Sequence, residues 1–270
     1  MNNIEKLCSI KHFALDMDGT IYKDTTLFDC TPGFLSKLDS LSIGYTLLTN
    51  NSSKSCADYL LKLAKMGLKI KKDQLYTSTL ATIDYLRSDY SNVKKLFVLG
   101  TASLKGEFAE AGYSIVSGDE EPEAVVVGFD MELEYPKLCK AAYWIKMKKP
   151  YIATHPDFIC PTNENTILVD CGAICDCIKS ATGCVPDKVL GKPDPCMLDG
   201  ILKRNNLEPN QLAMVGDRLY TDIAMAHRTG ALGVLVLSGE ATVGDLEFCN
   251  EPPDLIVENI GELGKMLEKA

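Results

Sequence analysis

Short apolar runs alternate with amphipathic stretches along almost the whole chain. The run Phe13-Ala14-Leu15 leads into Asp16, and Tyr45-Thr46-Leu47-Leu48 leads into Thr49. Both are short, wholly apolar and bounded by polar residues, the pattern of strands buried on both faces of a parallel sheet. Leu96–Leu99, Ala124–Val127, Tyr151–Ala153, Ala213–Val215 and Gly233–Leu237 repeat it. Between the runs the apolar period lengthens. Cys56, Tyr59, Leu60, Leu63 and Ala64 follow i, i+3, i+4, i+7, i+8, which predicts a helix with one apolar face. Ser52 or Ser53 is placed to cap its start, and Lys65 and Gly67 suit its end. Further helical patterns occupy 102–112, 134–148 and 260–268, and another carries Leu219, Ile223 and Ala226. Strands alternating with helices in this way predict an α/β fold with a doubly wound parallel sheet.

The alternation has two blocks. Residues 1–77 and 188–270 read as one interrupted core domain, and 78–187 holds enough strand and helix for a smaller α/β domain inserted into it. A chain of 270 residues can bury cores of that size. No stretch approaches the roughly 20 apolar residues of a membrane span. The net charge of −9 argues against a nucleic-acid surface, which needs a basic stripe. The N-terminus lacks a secretory pattern, so the eleven cysteines are expected as reduced thiols in a cytoplasmic protein.

Chemistry concentrates where apolar runs end. Asp16 and Asp18, one residue apart, flank Met17 and run into Gly19-Thr20. Thr49, Asn50 and Asn51 end the next strand. Lys192 lies in Gly191-Lys192-Pro193-Asp194-Pro195, where a proline stiffens the lead-in and Asp194 and Pro195 read as the cap and first residue of a helix. Gly216-Asp217 ends another strand, and Asp222 follows five residues on. Strands of a parallel sheet end on one side, so these groups are expected to converge in the crevice where such sheets bind ligands. Asp16, taken as ionised at neutral pH, needs no base to attack phosphorus, and Asp18 is placed to carry a proton. A divalent cation shared by Asp16 and Asp217, with Lys192, would offset repulsion from an anionic phosphoryl group; Mg²⁺ suits such carboxylate sites. Thr49 and Asn50 offer a hydroxyl and an amide to phosphate oxygens beside a helix N-terminus.

These four segments, in this order, resemble the four motifs of the haloacid dehalogenase-like (HAD) superfamily. The insertion resembles the α/β cap of its p-nitrophenylphosphatase and NagD-like branch, as do the phrases Val127-Gly128-Phe129-Asp130 and Gly216-Asp217-Arg218-Leu219. The resemblance implies a Rossmann-like core and a Mg²⁺-dependent phosphatase of small-molecule phosphomonoesters working through a phospho-aspartate. Asp16 would be nucleophile and metal ligand. Asp18 would be the acid/base, its backbone carbonyl also on the metal. Asp217 would complete the ligands, with Asp222 as a supporting carboxylate, and Thr49, Asn50, Asn51 and Lys192 would hold phosphate. It also implies a homodimer through the cap; the charge and the lack of a long apolar stretch lead to the expectation of no nucleic-acid or membrane partner. A phosphotransferase or phosphomutase would share every core motif, and a non-catalytic phosphate sensor is the reading from another class. Two places depart from the branch. Cys171, Cys175 and Cys177 lack a Cys-x-x-Cys pair and are expected as buried thiols rather than metal ligands, and His155 stands in a turn that often carries Asn, where it is expected as a structural hydrogen-bonder.

Overall fold

The computed structural model describes residues 6–162 and 164–268. It divides into two compact units. One is formed by the chain up to Thr49, by Lys62–Tyr76 and by the chain from Lys192 on; the other by Asn50–Leu61 and Thr77–Gly191.

The first unit is built on a six-stranded sheet. Its strands, named in chain order, are β1 (His12–Asp16), β2 (Gly44–Thr49), β3 (Leu75–Thr77), β4 (Leu212–Gly216), β5 (Leu232–Val236) and β6 (Leu255–Val257). Their spatial order is β6-β5-β4-β1-β2-β3. Read from the other edge this is 3-2-1-4-5-6, the Rossmann order. β1 pairs in parallel with both β2 and β4, so the chain changes direction across the sheet between β1 and β4. Phe13, Ala14, Leu15, Leu47, Leu48, Ala213, Met214 and Val215 are fully buried, which explains why their strands read as unbroken apolar runs. A hairpin of Tyr22–Lys23 and Thr26–Leu27 follows β1. It is too short to have shown a periodicity in the sequence.

The second unit has its own five-stranded parallel sheet, ordered Lys188–Val189, Tyr151–Ala153, Ala124–Val127, Lys95–Leu99, Ser114–Ile115. Val125, Val127, Phe97, Leu99, Ile145, Ile174 and Ile178 form its core. Against the 78–187 expected from the sequence, this unit takes in 50–61 as well. Hydrogen bonds tether that segment: Thr101 Oγ1 donates to Ser53 O (2.8 Å), Ser78 Oγ to Asn50 O (2.5 Å), and Cys56 N–H to Glu107 Oε1 (3.1 Å).

Two caps differ from the sequence reading by a few residues. The helix Cys56–Lys65 is capped by Ser55, not Ser52 or Ser53: Ser55 Oγ accepts from Asp58 N–H while Asp58 Oδ2 accepts from Ser55 N–H. The helix beyond Lys192 starts at Cys196, with Asp194 Oδ1 accepting from Cys196 N–H at 3.0 Å. Of the three cysteines expected to be buried, Cys171 and Cys175 are, one turn apart on the helix Cys171–Thr182, but Cys177 points to solvent. None of the eleven cysteines, all within the described residues, forms a disulfide. No described helix is long and apolar enough to cross a membrane.

Candidate active site

The switch between β1 and β4 opens a crevice beyond their carboxyl ends, and the acidic residues stand there. Asp16 is the last residue of β1; Asp217 immediately follows β4. After Asp217 the backbone makes a wide turn over Leu219–Ile223 with five-residue hydrogen bonding before the helix Ala224–Thr229. Such turns recur at functional sites, and this one returns Asp222 under Gly216. A Cβ on Gly216 would lie 2.3 Å from the Asp222 carboxyl carbon, so only glycine admits that approach.

Ligand-capable oxygens of Asp16, Asp217 and Asp222 all lie within 4.8 Å of one another, and all three residues are buried. Lys192 is also buried and contacts Asp16 Oδ1 and, at 2.7 Å, Asp222 Oδ1. Asp222 Oδ2 accepts from Arg218 N–H at 3.1 Å. Three carboxylates against one ammonium leave two negative charges without a partner in a desolvated crevice. The nearby Arg218 guanidinium is itself ion-paired with Glu240 at 2.8 Å.

Titration reflects that imbalance. Burial, then the charges of Asp222 and Asp217, push the Asp16 carboxyl up to about 8, against the pull of Lys192. The expectation that Asp16 is ionised at neutral pH therefore fails for the fold without a cation, because an isolated-residue pKa omits desolvation. Asp217 is raised to about 6 by burial and by Asp222. Burial works against the Lys192 ammonium, but Asp16 and Asp222 outweigh it and hold its pKa above the ordinary value. A divalent cation fits the arrangement on two counts. It would balance the charge, and Asp217 Oδ1, buried without a hydrogen-bond partner among the described residues, would gain one.

Asp18, two residues past β1, is exposed. Its carboxyl is raised from its ordinary value chiefly by desolvation, with Asp24 adding and Lys62 and Arg218 opposing. A carboxyl shifted that way holds a proton closer to neutrality, as a general acid requires. Thr49 ends β2, one residue beyond the Asp16↔Leu48 pairing. Asn50 and Asn51 belong to the second unit. Asn50 Nδ2 donates to Asp157 at 3.1 and 3.2 Å; Asn51 Oδ1 accepts from Ser53 N–H at 2.9 Å.

His155 is fully buried beside that Asp157. Its Nδ1 lies 3.5 Å from Asp157 Oδ2, and its Nε2 3.4 Å from Asp170 Oδ1 and 3.3 Å from Ser52 Oγ. His155, Asp157 and Asp170 also form a cluster with ligand atoms placed to hold a cation. Because each ring nitrogen faces its own carboxylate, a proton on the imidazole supplies that charge. Burial opposes it, yet Asp157 and Asp170 raise the His155 pKa from 6.5 to about 9. A raised histidine pKa stabilises the fold fully below about 6.5, and the gain is lost as pH rises through about 9. The shift corresponds to about 3 kcal/mol at most, and less in practice because Asp170 is itself raised to about 6. In urea titrations, the deficit of His155→Asn relative to wild type should shrink steadily from pH 6.5 to 9.5. A pH-independent deficit would mean that the imidazole is neutral.

The sequence reading passed over Arg218 as a functional group and did not reach Ser238-Gly239-Glu240. Those three follow β5 as the other motifs follow their strands. An apolar run ending in Ser-Gly was the available signal.

The haloacid dehalogenase-like hydrolase family matches residues 13–114, and a HAD-hydrolase-like family matches 189–263. The acid sugar phosphatase of Staphylococcus aureus is 32% identical over 259 residues, covering 96% of this chain and 98% of that protein. Among solved structures, 4-nitrophenylphosphatase from Thermotoga maritima is 38% identical with a TM-score of 0.91, covering 96% of this chain and 98% of the other. NagD from E. coli is 30% identical with a TM-score of 0.86, covering 94% and 98%.

Proposed function

We propose that this chain, which belongs to the haloacid dehalogenase-like hydrolase family in its NagD and p-nitrophenylphosphatase branch, hydrolyses small-molecule phosphomonoesters through a phosphorylated Asp16, with Mg²⁺ as cofactor. The observation that carries this reading is the gathering of Asp16, Asp217 and Asp222 around Lys192 at the topological switch of a Rossmann-ordered sheet. Its phosphatase relatives support it.

Asp16 attacks phosphorus and the ester oxygen leaves. The Lys192 ammonium offsets charge on the phosphoryl oxygens, and Thr49 offers them a hydroxyl. Asp18 gives its proton to the departing alkoxide, then takes one from the water that hydrolyses the aspartyl phosphate, so it ends the cycle as it began. Asp16, Asp217 and the Asp18 backbone carbonyl would hold Mg²⁺, with Asp222 behind them. The ion would supply the positive charge that keeps Asp16 ionised and would lessen its repulsion from phosphate. Cysteines without disulfides among the described residues suit a reducing, cytoplasmic setting. Homodimerisation through the second unit is part of the reading: Tyr135, Tyr143 and Met147, exposed at 79, 55 and 50%, recur at helical spacing on one face.

The test is turnover of a phosphomonoester panel, including sugar phosphates and p-nitrophenyl phosphate, before and after chelation. EDTA should abolish phosphate release and added Mg²⁺ should restore it. Full activity in EDTA would remove the cation from the account, and inertness toward the whole panel in Mg²⁺ would remove the activity.

A further inference from the structure

Asp217 is held in place by a loop that belongs to no recognised motif. The loop Ser238-Gly239-Glu240-Ala241 leaves the end of β5 and folds back over the carboxylate. Glu240 N–H donates to Asp217 Oδ2 at 2.8 Å, and Ala241 N–H donates to the Asp217 backbone carbonyl at 3.0 Å. Ser238 Oγ donates to Gly19 O at 2.7 Å and so joins the loop to the turn after β1. Glycine backbones close around the carboxylate. A Cβ on Gly19 would lie 2.3 Å from Asp217 Oδ2, and one on Gly239 would lie 2.0 Å from it. Oδ2 is thus occupied and crowded, while Oδ1 is buried without a hydrogen-bond partner among the described residues.

The outer side of the loop is fastened by the Glu240 side chain. Its Oε2 ion-pairs with Arg218 Nε at 2.8 Å, and its Oε1 accepts from Tyr220 O–H at 2.8 Å. Arg218 and Tyr220 sit one and three residues after Asp217. Glu240 therefore ties the turn that follows Asp217 to the loop whose N–H groups hold Asp217. An exposed ion pair alone is worth little. Here both partners lie within three residues after the carboxylate that its own backbone N–H grips, so releasing it frees the grip as well.

We infer that Glu240 is a positioning residue for cation binding: by latching the 238–241 loop to Arg218 and Tyr220 it keeps Asp217 Oδ2 engaged and presents Oδ1 to the metal. This rests on the reading of Asp16 and Asp217 as cation ligands. Loss of a group that orients a ligand typically weakens metal binding by about 10–100-fold, and for a half-exposed latch the lower end applies.

The experiment is calorimetric titration of metal-free, substrate-free protein with MgCl₂, for wild type, Glu240→Ala, Glu240→Gln and Tyr220→Phe. Thermal unfolding is followed in EDTA and in Mg²⁺. Glu240→Ala should raise the Mg²⁺ Kd about tenfold. Tyr220→Phe, which deletes one hydrogen bond from the latch, should raise it by a smaller factor, and Glu240→Gln, which retains an acceptor for Tyr220, should fall between wild type and Glu240→Ala. The rise in unfolding midpoint on adding Mg²⁺ should shrink in the same order. A merely structural role would lower the midpoint equally with and without Mg²⁺ and leave Kd unchanged, which overturns the inference. If Glu240→Ala does not fold, Tyr220→Phe decides, and a wild-type Kd there overturns it. Wild-type protein that takes up no Mg²⁺ would defeat the proposed function and this inference together. Wild-type binding matched by Glu240→Ala and Tyr220→Phe defeats the inference alone.

Discussion

Asp16→Asn should lose turnover by on the order of 10⁴-fold or more, yet be the more stable protein in EDTA. The catalytic loss follows from chemistry: an amide cannot form the acyl phosphate, and nothing else at the end of β1 replaces it. The gain in stability follows from burial. The Asp16 carboxyl is raised from 3.8 to about 8 in the metal-free fold. The unfolded chain releases that proton near pH 4 and the fold does not, so the metal-free protein loses stability as pH climbs from about 4 to about 8. Asparagine is neutral in both states, so it removes the cost of taking up that proton on folding. A gain on the order of 2 kcal/mol at pH 7.5 is expected, because a shift of this size at a coupled site is only partly recovered. Denaturant unfolding in EDTA beside a turnover assay measures both. A variant with near-normal turnover, or one less stable than wild type without metal, would contradict the assignment.

Lys192→Met should fail for the opposite reason. Removing the ammonium leaves Asp16 and Asp222 buried with neither their ion pair nor a donor in its place. Truncating one partner of a buried pair typically costs about 3–5 kcal/mol. Here the carboxyls can take up protons instead, so about 3 kcal/mol is expected in EDTA, part of it recovered in Mg²⁺. Turnover should drop by about 10²- to 10³-fold, the scale of removing one charged or hydrogen-bonding stabiliser from a transition state. Asp16 would hold its proton to higher pH, so the remaining activity should level off at a higher pH than in wild type. The check is kcat against pH at saturating Mg²⁺. A wild-type pH profile would mean that Lys192 does not set the charge of Asp16.

Much of this was legible before any coordinates. β1, β2, β4 and β5 sit in the middle of the sheet, where both faces are covered, so each reads as an unbroken apolar run. Their carboxyl ends share a side, which puts Asp16 and Asp217 at one switch point. What the sequence hid depends on pairing at a distance or on short elements. Leu75–Thr77 and the hairpin after Ile21 are too brief for a period to show. Ser52 looks like a helix cap, yet its hydroxyl accepts from Phe129 N–H at 2.9 Å, 77 residues away, and Ser55 does the capping. The place of 50–61 in the second unit depends on hydrogen bonds to Ser78, Thr101 and Glu107, which no local pattern announces. The charge state of Asp16 escaped because desolvation and neighbouring carboxylates are properties of the assembled crevice. Glu240 escaped because its importance lies in what its backbone touches.

The most direct measurement is chemical identification of the phosphorylated side chain. Asp18→Asn should slow breakdown of the intermediate. That variant is mixed with Mg²⁺ and a phosphomonoester, quenched in acid and reduced with borohydride, which converts an acyl phosphate of aspartate to homoserine. Peptide sequencing by mass spectrometry should find homoserine at position 16 and aspartate at 217 and 222. Homoserine at another position, or an unreduced Asp16 while the variant still releases phosphate, would contradict the account.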